Sequence, residues 1–211
     1  MPPGPMVRRL FVPYERSVAE AYRSIFINLD AFARMMSRWV PQAHNVLEVG
    51  CGEGAMTERI TSTYPTATVT AIDITPKVGR LFRGETSRVN FLQETVEAVA
   101  AREPASFDLV VLSDVIHHVP LDLRSSIMSA IHRAMTPNGS LIFKDWVISS
   151  HPIHWLCLMS DRHLTGDNVA YCTPGIIDAL VTDTFGSGAI LETGTVRPWR
   201  NNLAVLVRLS R

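Results

Sequence analysis

Apolar residues along the chain follow two spacings, one typical of helices and one typical of buried strands. Between Ser17 and Trp39 they recur every three to four positions, which predicts an amphipathic helix, or two, ending before Pro41. Beyond residue 45, short apolar runs alternate with segments of helical spacing. The predicted strands are 46–49, 68–72, 89–92, 107–112 and 140–143, and the predicted helices extend to about Tyr64 and over 96–101, 121–135 and 174–185.

This alternation predicts an α/β fold with a doubly wound parallel sheet and helices on both faces. Segments 189–196 and 203–209 are rich in β-forming residues and are separated by a short polar loop, which predicts an antiparallel C-terminal hairpin. We expect a single domain over 1–211. Its parts are a helical N-terminal segment (1–42), a βα core (43–145), a cap insertion (146–172) and a C-terminal helix with the hairpin (173–211).

Composition narrows the class of protein. At 211 residues, with 46% hydrophobic and 19% charged residues, the chain suits a globular domain. Lys+Arg and Asp+Glu both number 20, so no basic excess favours a nucleic-acid partner. Cys51, Cys157 and Cys172 are too few and too widely spaced for a disulfide framework, which favours the cytoplasm. We expect no signal peptide and no membrane span, because the N-terminus lacks an apolar segment and no run of about 18 apolar residues occurs.

Three glycines at alternate positions follow the first predicted strand. Gly50, Gly52 and Gly54 stand between a buried strand and a helix start, a turn that favours a nucleotide-type cofactor. One interpretation is a dinucleotide site, because the spacing fits GxGxxG/A and Asp73 follows at the distance of a ribose-binding acid. However, the carboxylate of Glu48 at the end of the strand would repel a pyrophosphate and suits a cationic, amino-acid-like ligand better.

Several segments occur in the order of a known family. Residues 48–54 (EVGCGEG) resemble the ExGxGxG motif of the class I S-adenosylmethionine-dependent methyltransferases, and residues 107–119 resemble the strand-4 motif of their small-molecule, ubiquinone-type branch. Residues 135–141 resemble the LxPGGxL turn of the family, with Asn138 at its first glycine. The resemblance covers 43–145. It implies a Rossmann-like seven-stranded sheet, S-adenosylmethionine as cofactor, S-adenosylhomocysteine as product and a small-molecule acceptor.

The resemblance also implies roles for individual residues. The three glycines let the backbone, with the small Cys51 among them, approach the methionine and ribose parts of the cofactor. Asp73 accepts hydrogen bonds from both ribose hydroxyls. Glu48 orients the loop and the amino group of the methionine part, and Ile74 packs on the face of the adenine. The adenine amino group is bound by Gln93, Glu94 or Thr95. Ser113 and Asp114 lie near the methionine part.

Methyl transfer requires that the protein align the acceptor with the methyl group and exclude water. A general base is needed only if the acceptor loses a proton. His118 is our first candidate for that base and His117 the second, since both follow strand 4 at the ligand edge of the sheet. Both histidines can instead simply pack around the cofactor loop. Asp114 either contacts the cofactor or orients a histidine.

Candidates for acceptor contacts are Tyr14, Lys144, Trp146 and Trp155. Lys144 and its neighbour Asp145 can alternatively form an ion pair that fixes the cap, and the tryptophans can be core of the cap. Tyr14 and Arg23 are also candidates to close over the cofactor. No metal is expected, and the oligomeric state is not readable. A dinucleotide-dependent oxidoreductase and a non-catalytic cofactor-binding protein stay open as alternatives.

Overall fold

A computed structural model describes residues 15–162 and 169–209 of the chain. Tyr14 lies outside these residues. The helices are α1 (Glu15–Phe26), α2 (Leu29–Trp39), α3 (Ala55–Thr63), α4 (Val96–Arg102), α5 (Arg124–Ala134), α6 (Pro152–Ser160) and α7 (Pro174–Phe185), with 3-10 turns at Ile116–His118 and Leu121–Leu123. The strands are β1 (Asn45–Val49), β2 (Thr68–Asp73), β3 (Val89–Gln93), β4 (Phe107–Ser113), β5 (Met135–Trp146), β6 (Ile190–Thr195) and β7 (Asn202–Arg208).

The seven strands form one sheet in the order β3-β2-β1-β4-β5-β7-β6. The first five strands pair in parallel, and β7 is antiparallel to both β5 and β6. This confirms the predicted doubly wound sheet and its antiparallel hairpin. The strand order reverses between β1 and β4, so the connections that follow these two strands run to opposite faces of the sheet. The gap between these connections is a crevice at the carboxyl ends of the strands.

Each face of the sheet carries its own apolar core. Helices α2 and α3 cover one face, where Phe32 and Ile60 pack on strand residues such as Ile142. Helices α4, α5 and α7 cover the other face, where Phe143 is among the buried strand residues. Successive strand residues point to opposite faces of the sheet, and both faces are covered by helices. The strands therefore need apolar residues at nearly every position.

The N-terminal region contains two helices rather than one. Helix α2 starts at Leu29, and its N-cap is Asn28, whose side chain accepts from the amide of Ala31 at 2.8 Å. The end of α1 is held by the hairpin region, since Asn202 Nδ2 donates to Phe26 O at 2.6 Å and Trp199 Nε1 donates to the carbonyl of Ile25 at 2.5 Å. Helix α1 therefore lies near the carboxyl edge of the sheet.

Strand β5 is longer than predicted. It begins at Met135, so residues 136–139, expected as a plain turn, lie within the strand as an irregularity between two stretches paired with β4. It also ends at Trp146, the first residue of the expected cap. The predicted division of the chain into N-terminal segment, core, cap and C-terminal part stays a prediction. Within 15–162 and 169–209, no helix is both long and apolar enough to cross a bilayer.

Candidate active site

The turn between β1 and α3 is built from glycines in the left-handed region. Gly50, Gly52 and Gly54 have φ angles of +78°, +51° and +94°, a conformation that costs other residues roughly 1–2 kcal/mol each. The amides of Gly50 and Cys51 both donate to the carbonyl of Ile72, at 2.8 and 2.9 Å. The turn is thereby fixed to the end of β2.

Gly50 and Gly52 differ in what surrounds them. A Cβ built on Gly50 would lie 2.2 Å from Val115 Cγ2, whereas a Cβ on Gly52 would meet nothing within 4 Å. Packing inside the protein therefore requires Gly50. Gly52 leaves the backbone uncovered, so that a ligand can approach the main chain without meeting a side chain.

Asp73 ends β2 beside this turn. Its Oδ2 accepts from the Gly52 amide at 2.8 Å, and its Oδ1 accepts from the Thr75 amide at 2.9 Å. Each carboxylate oxygen keeps a lone pair for another hydrogen bond. The next residue, Ile74, is 73% exposed. An ionic acceptor and an apolar side chain thus lie together at the edge where open α/β sheets bind ligands.

Glu48 lies under the turn and is buried, with Oε2 accepting from Thr57 Oγ1 at 2.6 Å. Burial raises the pKa of Glu48 to about 7, against the lowering effect of the Thr57 hydrogen bond, and the charge of Asp73 adds to the rise. Burial also raises the pKa of the Cys51 thiol. Cys51 is therefore a neutral thiol at neutral pH, which agrees with a space-filling role.

Glu48→Gln is expected to stabilise the fold above neutral pH. Because the folded-state pKa of about 7 exceeds the ordinary value of 4.5, the contribution of Glu48 to stability is fully present below pH 4.5 and is lost as the pH rises through 7. Glutamine keeps an acceptor for Thr57 without the charge. The variant should be more stable by about 3 kcal/mol near pH 8 and equal to the parent near pH 4.

Urea unfolding of both proteins across this pH range measures the difference. Glu85→Gln, at an exposed loop position, is the control and should follow the parent at every pH. A Glu48→Gln effect that does not change with pH would contradict the assignment of a buried, proton-binding carboxyl group.

The candidates for the adenine end already have partners. Gln93 Nε2 donates to the carbonyl of Ile74 at 3.2 Å. Glu94 forms an ion pair with Arg102 at 2.5 Å. The Thr95 hydroxyl caps the first turn of α4. Gln93 is consequently the side chain of the three that lies directly beside Ile74.

Ser113 ends β4 at the same edge of the sheet, and Asp114 directly follows it. Asp114 has a φ of +58°, which is uncommon for a residue with a side chain and is concentrated at functional sites. Its Oδ2 accepts from Ser113 Oγ at 3.1 Å, and its Oδ1 accepts from Lys144 Nζ at 2.5 Å. Because Lys144 is only 1% exposed, its charge is compensated mainly by this carboxylate.

His117 is buried and bonded to Asp145, the residue after Lys144. The Asp145 carboxylate contacts His117 Nδ1 and also accepts from the His117 amide at 3.2 Å. Burial alone would lower the pKa of His117, but the neighbouring carboxylates, Asp145 above all, raise it. His118, our first candidate for the base, is exposed, and its ring lies 4.1 Å from that of His117.

The expected ion pair between Lys144 and Asp145 does not form. Lys144 bonds Asp114, and Asp145 bonds His117. The reason is the alternation of side chains along a strand, which sends adjacent residues to opposite faces of the sheet. Lys144 and Asp145 consequently bind two different residues that follow β4, Asp114 and His117.

The aromatic residues predicted for the acceptor side lie in different places. Trp146 is 3% exposed, lies 6.0 Å from the ring of Phe26 and donates Nε1 to His154 Nδ1 at 3.0 Å. Trp155 is 68% exposed on α6. Trp146 therefore ends β5 at the edge that carries Asp114 and His117, whereas Trp155 lies at the surface of α6.

Asp114, His117 and Asp145 place one potential metal ligand each within 4.8 Å of one another. The sequence predicts no metal. In this cluster the ammonium of Lys144 neutralises Asp114, and the ring of His117 bonds Asp145. Since these charges are compensated within the protein, the cluster is best described as a hydrogen-bonded network.

Sequence reasoning missed Arg124, which is 2% exposed. Its guanidinium donates to the carbonyls of Val119 and Ala170, at 3.0 and 2.5 Å, and to Cys172 Sγ at 3.1 Å. Ala170 in turn donates its amide to the carbonyl of His117 at 2.8 Å. Arg124 thus clamps the segment before α7 against the residues after β4. Nothing in the helical spacing around it distinguishes this arginine from an exposed one.

Comparison with known proteins agrees with this geometry. Residues 47–143 match the family model described as "Methyltransferase domain". This match confirms, over residues 47–143, the resemblance to the class I S-adenosylmethionine-dependent methyltransferases seen in the sequence.

The similar curated proteins include ubiquinone biosynthesis O-methyltransferases. That of Xanthomonas campestris pv. campestris (strain B100) is 40% identical over 100 residues, which are 46% of this chain and 40% of the relative. That of Idiomarina loihiensis is 30% identical over 133 residues, which are 56% of this chain and 53% of the relative. The chain thus spans about half, or less, of the length of these relatives.

Solved structures share the fold at low identity. The 1,6-didemethyltoxoflavin-N1-methyltransferase of Burkholderia thailandensis, solved with 1,6-didemethyltoxoflavin and S-adenosylhomocysteine, has a TM-score of 0.69 at 17% identity, covering 97% of this chain and 88% of that chain. The mitomycin 7-O-methyltransferase MmcR has a TM-score of 0.70 at 18% identity, covering 97% and 58%. These likenesses support the Rossmann-like class of fold.

Proposed function

We propose that this protein transfers a methyl group from S-adenosylmethionine to a small-molecule acceptor. The observation that carries the proposal is the turn at the crevice between β1 and β4, where Gly52 exposes its backbone and Asp73 bonds the Gly52 amide. Similarity to the methyltransferase family over residues 47–143 supports it.

The residues present fit this cofactor. Asp73 has acceptor capacity for the two ribose hydroxyls. The exposed Ile74 offers an apolar surface for adenine, with Gln93 beside it. Glu48 supports the loop from below, and the carbonyl of Ser113 at the end of β4 is a candidate acceptor for the ammonium of the methionine part. When bound, the cofactor supplies a methyl group activated by the sulfonium charge.

The protein then has to align the acceptor and exclude water. Asp114 and Lys144 form a compensated pair at the edge beyond the glycine turn, so neither adds a net charge there. His117 and His118 are the groups available to take a proton from an acceptor. Trp146 and Tyr14 are further candidates for acceptor contacts.

The acceptor is proposed to be a metabolite and not a nucleic acid or a membrane component. The balanced charge of the chain supports this. Proteins of similar sequence are named for ubiquinone biosynthesis, and a protein of similar fold is named for mitomycin. The cytoplasm is proposed as the compartment, because the three cysteines are unpaired and buried.

Isothermal titration calorimetry with S-adenosylhomocysteine and, separately, with NAD tests the proposal. We expect binding of S-adenosylhomocysteine alone. Binding of NAD alone would replace the proposal with a dinucleotide-dependent oxidoreductase. Tight binding of S-adenosylhomocysteine without transfer to any member of a broad metabolite panel would instead support the non-catalytic alternative.

Arg23→Ala is expected to weaken S-adenosylhomocysteine binding by about 10-fold, the effect of losing one charge-assisted hydrogen bond. Arg23 on α1 lines a narrow cleft with Glu53 and Ala55 of the glycine turn region. Burial lowers the pKa of Arg23, while the negative charges of Glu20, Glu53 and Asp114 act in the opposite direction, so these carboxylates lie within electrostatic range of its guanidinium.

Calorimetry compares Arg23→Ala with Arg38→Ala, an exposed arginine in the last turn of α2. The control should bind like the parent protein. If both variants bound S-adenosylhomocysteine with equal affinity, Arg23 and helix α1 would not be part of the cofactor site.

A further inference from the structure

Asp145 makes an unusually complete contact with one histidine. Its carboxylate is fully buried. One oxygen accepts from the amide of His117 at 3.2 Å, and the other contacts His117 Nδ1 and accepts from the Trp146 amide at 2.7 Å. A single carboxylate therefore fixes both the backbone and the ring of His117.

This contact determines which ring nitrogen is the base. The donors from Trp146 and His117 stabilise the ionised carboxylate, and although burial opposes ionisation, His117 and Lys144 lower the pKa of Asp145. An ionised carboxylate requires a proton on the facing Nδ1. In the neutral imidazole the lone pair is then on Nε2, which points away from Asp145.

The ring of His117 also packs against two other rings. Tyr171 stacks on it with a centroid distance of 5.1 Å and an interplanar angle of 24°. The ring of His118 lies 4.1 Å away on the chain-adjacent side. The clamp formed by Arg124 fixes the segment that carries Tyr171. Rotation of the imidazole, which would exchange its two nitrogens, is opposed by the stacked ring of Tyr171 and by the neighbouring ring of His118.

The charged groups around the ring favour a proton on it. Asp145 from β5 is in contact, and Asp114 after β4 and Asp161 after α6 add negative charge. Lys144 is the opposing cation, and Asp114 compensates it. Uptake of a proton by Nε2 therefore creates an imidazolium in a site that already carries the counter-charge.

We infer that Asp145 is the positioning residue for His117 Nε2 as general base, and that the methyl acceptor is a neutral compound bearing a hydroxyl or N–H group that loses its proton during transfer. This inference rests on the proposed methyltransferase function. The acceptor's O–H or N–H bond breaks and the proton goes to Nε2. The oxygen or nitrogen bonds the methyl carbon, whose bond to the sulfonium sulfur breaks to leave a neutral thioether, and the imidazolium later releases its proton to water.

The first test needs no acceptor. NMR of protein with ¹⁵N-labelled histidine, saturated with S-adenosylhomocysteine, should show the Nδ1–H form of neutral His117 and a downfield ring proton bonded to Asp145. In Asp145→Asn the pKa of His117 should fall and this proton should lose its downfield shift. Asp108→Asn, a carboxylate that also accepts backbone amides but lies at the opposite end of the sheet, should leave both unchanged. An Nε2–H form in the parent protein, or an unaltered pKa in Asp145→Asn, would overturn the inference.

The second test measures S-adenosylhomocysteine release with catechol, aniline and dimethyl sulfide as acceptor probes. We expect turnover with catechol or aniline, a fall in kcat of about 10²–10⁴-fold in Asp145→Asn and in His117→Gln, and an acid limb of the rate profile that moves to lower pH in Asp145→Asn. Methylation of dimethyl sulfide, or of any probe equally by the parent and His117→Gln, would overturn it. If the parent protein did not bind S-adenosylhomocysteine, the proposed function itself would be rejected. The NMR experiment would still determine which tautomer His117 adopts.

Discussion

Asp73→Ala should lower the affinity for S-adenosylhomocysteine by about 10²–10⁴-fold. The substitution removes an ionised acceptor for two ribose hydroxyls, each worth about 1.5–3 kcal/mol. It also frees the amides of Gly52 and Thr75, which Asp73 holds at 2.8 and 2.9 Å. Calorimetry measures the affinity, and urea unfolding measures the accompanying loss of stability.

Asp108→Ala is the matched control. Asp108 also accepts backbone amides, those of His44 and Asn45 at 2.9 and 3.0 Å, but it lies near the start of β4, away from the ligand edge. Asp108→Ala should lose stability and keep its affinity. If the two variants lost affinity equally, Asp73 would act only through the stability of the fold.

Gly50→Ala should both destabilise the protein, by about 3 kcal/mol, and abolish measurable cofactor binding. The φ of +78° is unfavourable for alanine, and the new Cβ would lie 2.2 Å from Val115 Cγ2. Val115 is β-branched and cannot easily turn aside. The turn therefore has to move, and the hydrogen bond from the Gly50 amide to Ile72 is strained with it.

Thermal unfolding and calorimetry on a small set of variants separate the two causes. Gly175→Ala is the control, because a Cβ there meets only Thr173 Oγ1 at 3.9 Å, and it should be neutral or slightly stabilising. Val115→Ala combined with Gly50→Ala removes the clash but not the unfavourable φ, so it should recover part of the stability. A single variant as stable as the parent would show that the turn is not tightly packed.

Much of the cofactor half of the site could be predicted from the sequence because its features are local. A glycine turn after an apolar strand, and an acid at the end of the next strand, need only the βα pattern and the rule that parallel strands end at one edge. The Gly52 amide and Asp73 consequently lie within hydrogen-bond distance, and their contact with a cofactor stays a prediction.

The partners of the strand-end charges could not be predicted in the same way. Lys144 and Asp145 are neighbours in the sequence, but alternation sends them to opposite faces, and the β4–β5 register places Ser113 opposite Lys144. Only that register identifies Asp114 and His117 as the two partners. The orientation of α6 could not be predicted from the sequence either. Its nine residues are almost all apolar, so no polar face indicates which side is exposed to solvent.

The position of β7 has a consequence for biosynthesis. This strand is made after β6 yet lies between β5 and β6, and its first residue, Asn202, bonds the end of α1. While a ribosome is still translating residues 202–208, the nascent chain leaves the edge of β5 unpaired and gives β6 no neighbour to join. The carboxyl edge of the sheet can therefore be completed only after residues 202–208 have been synthesised.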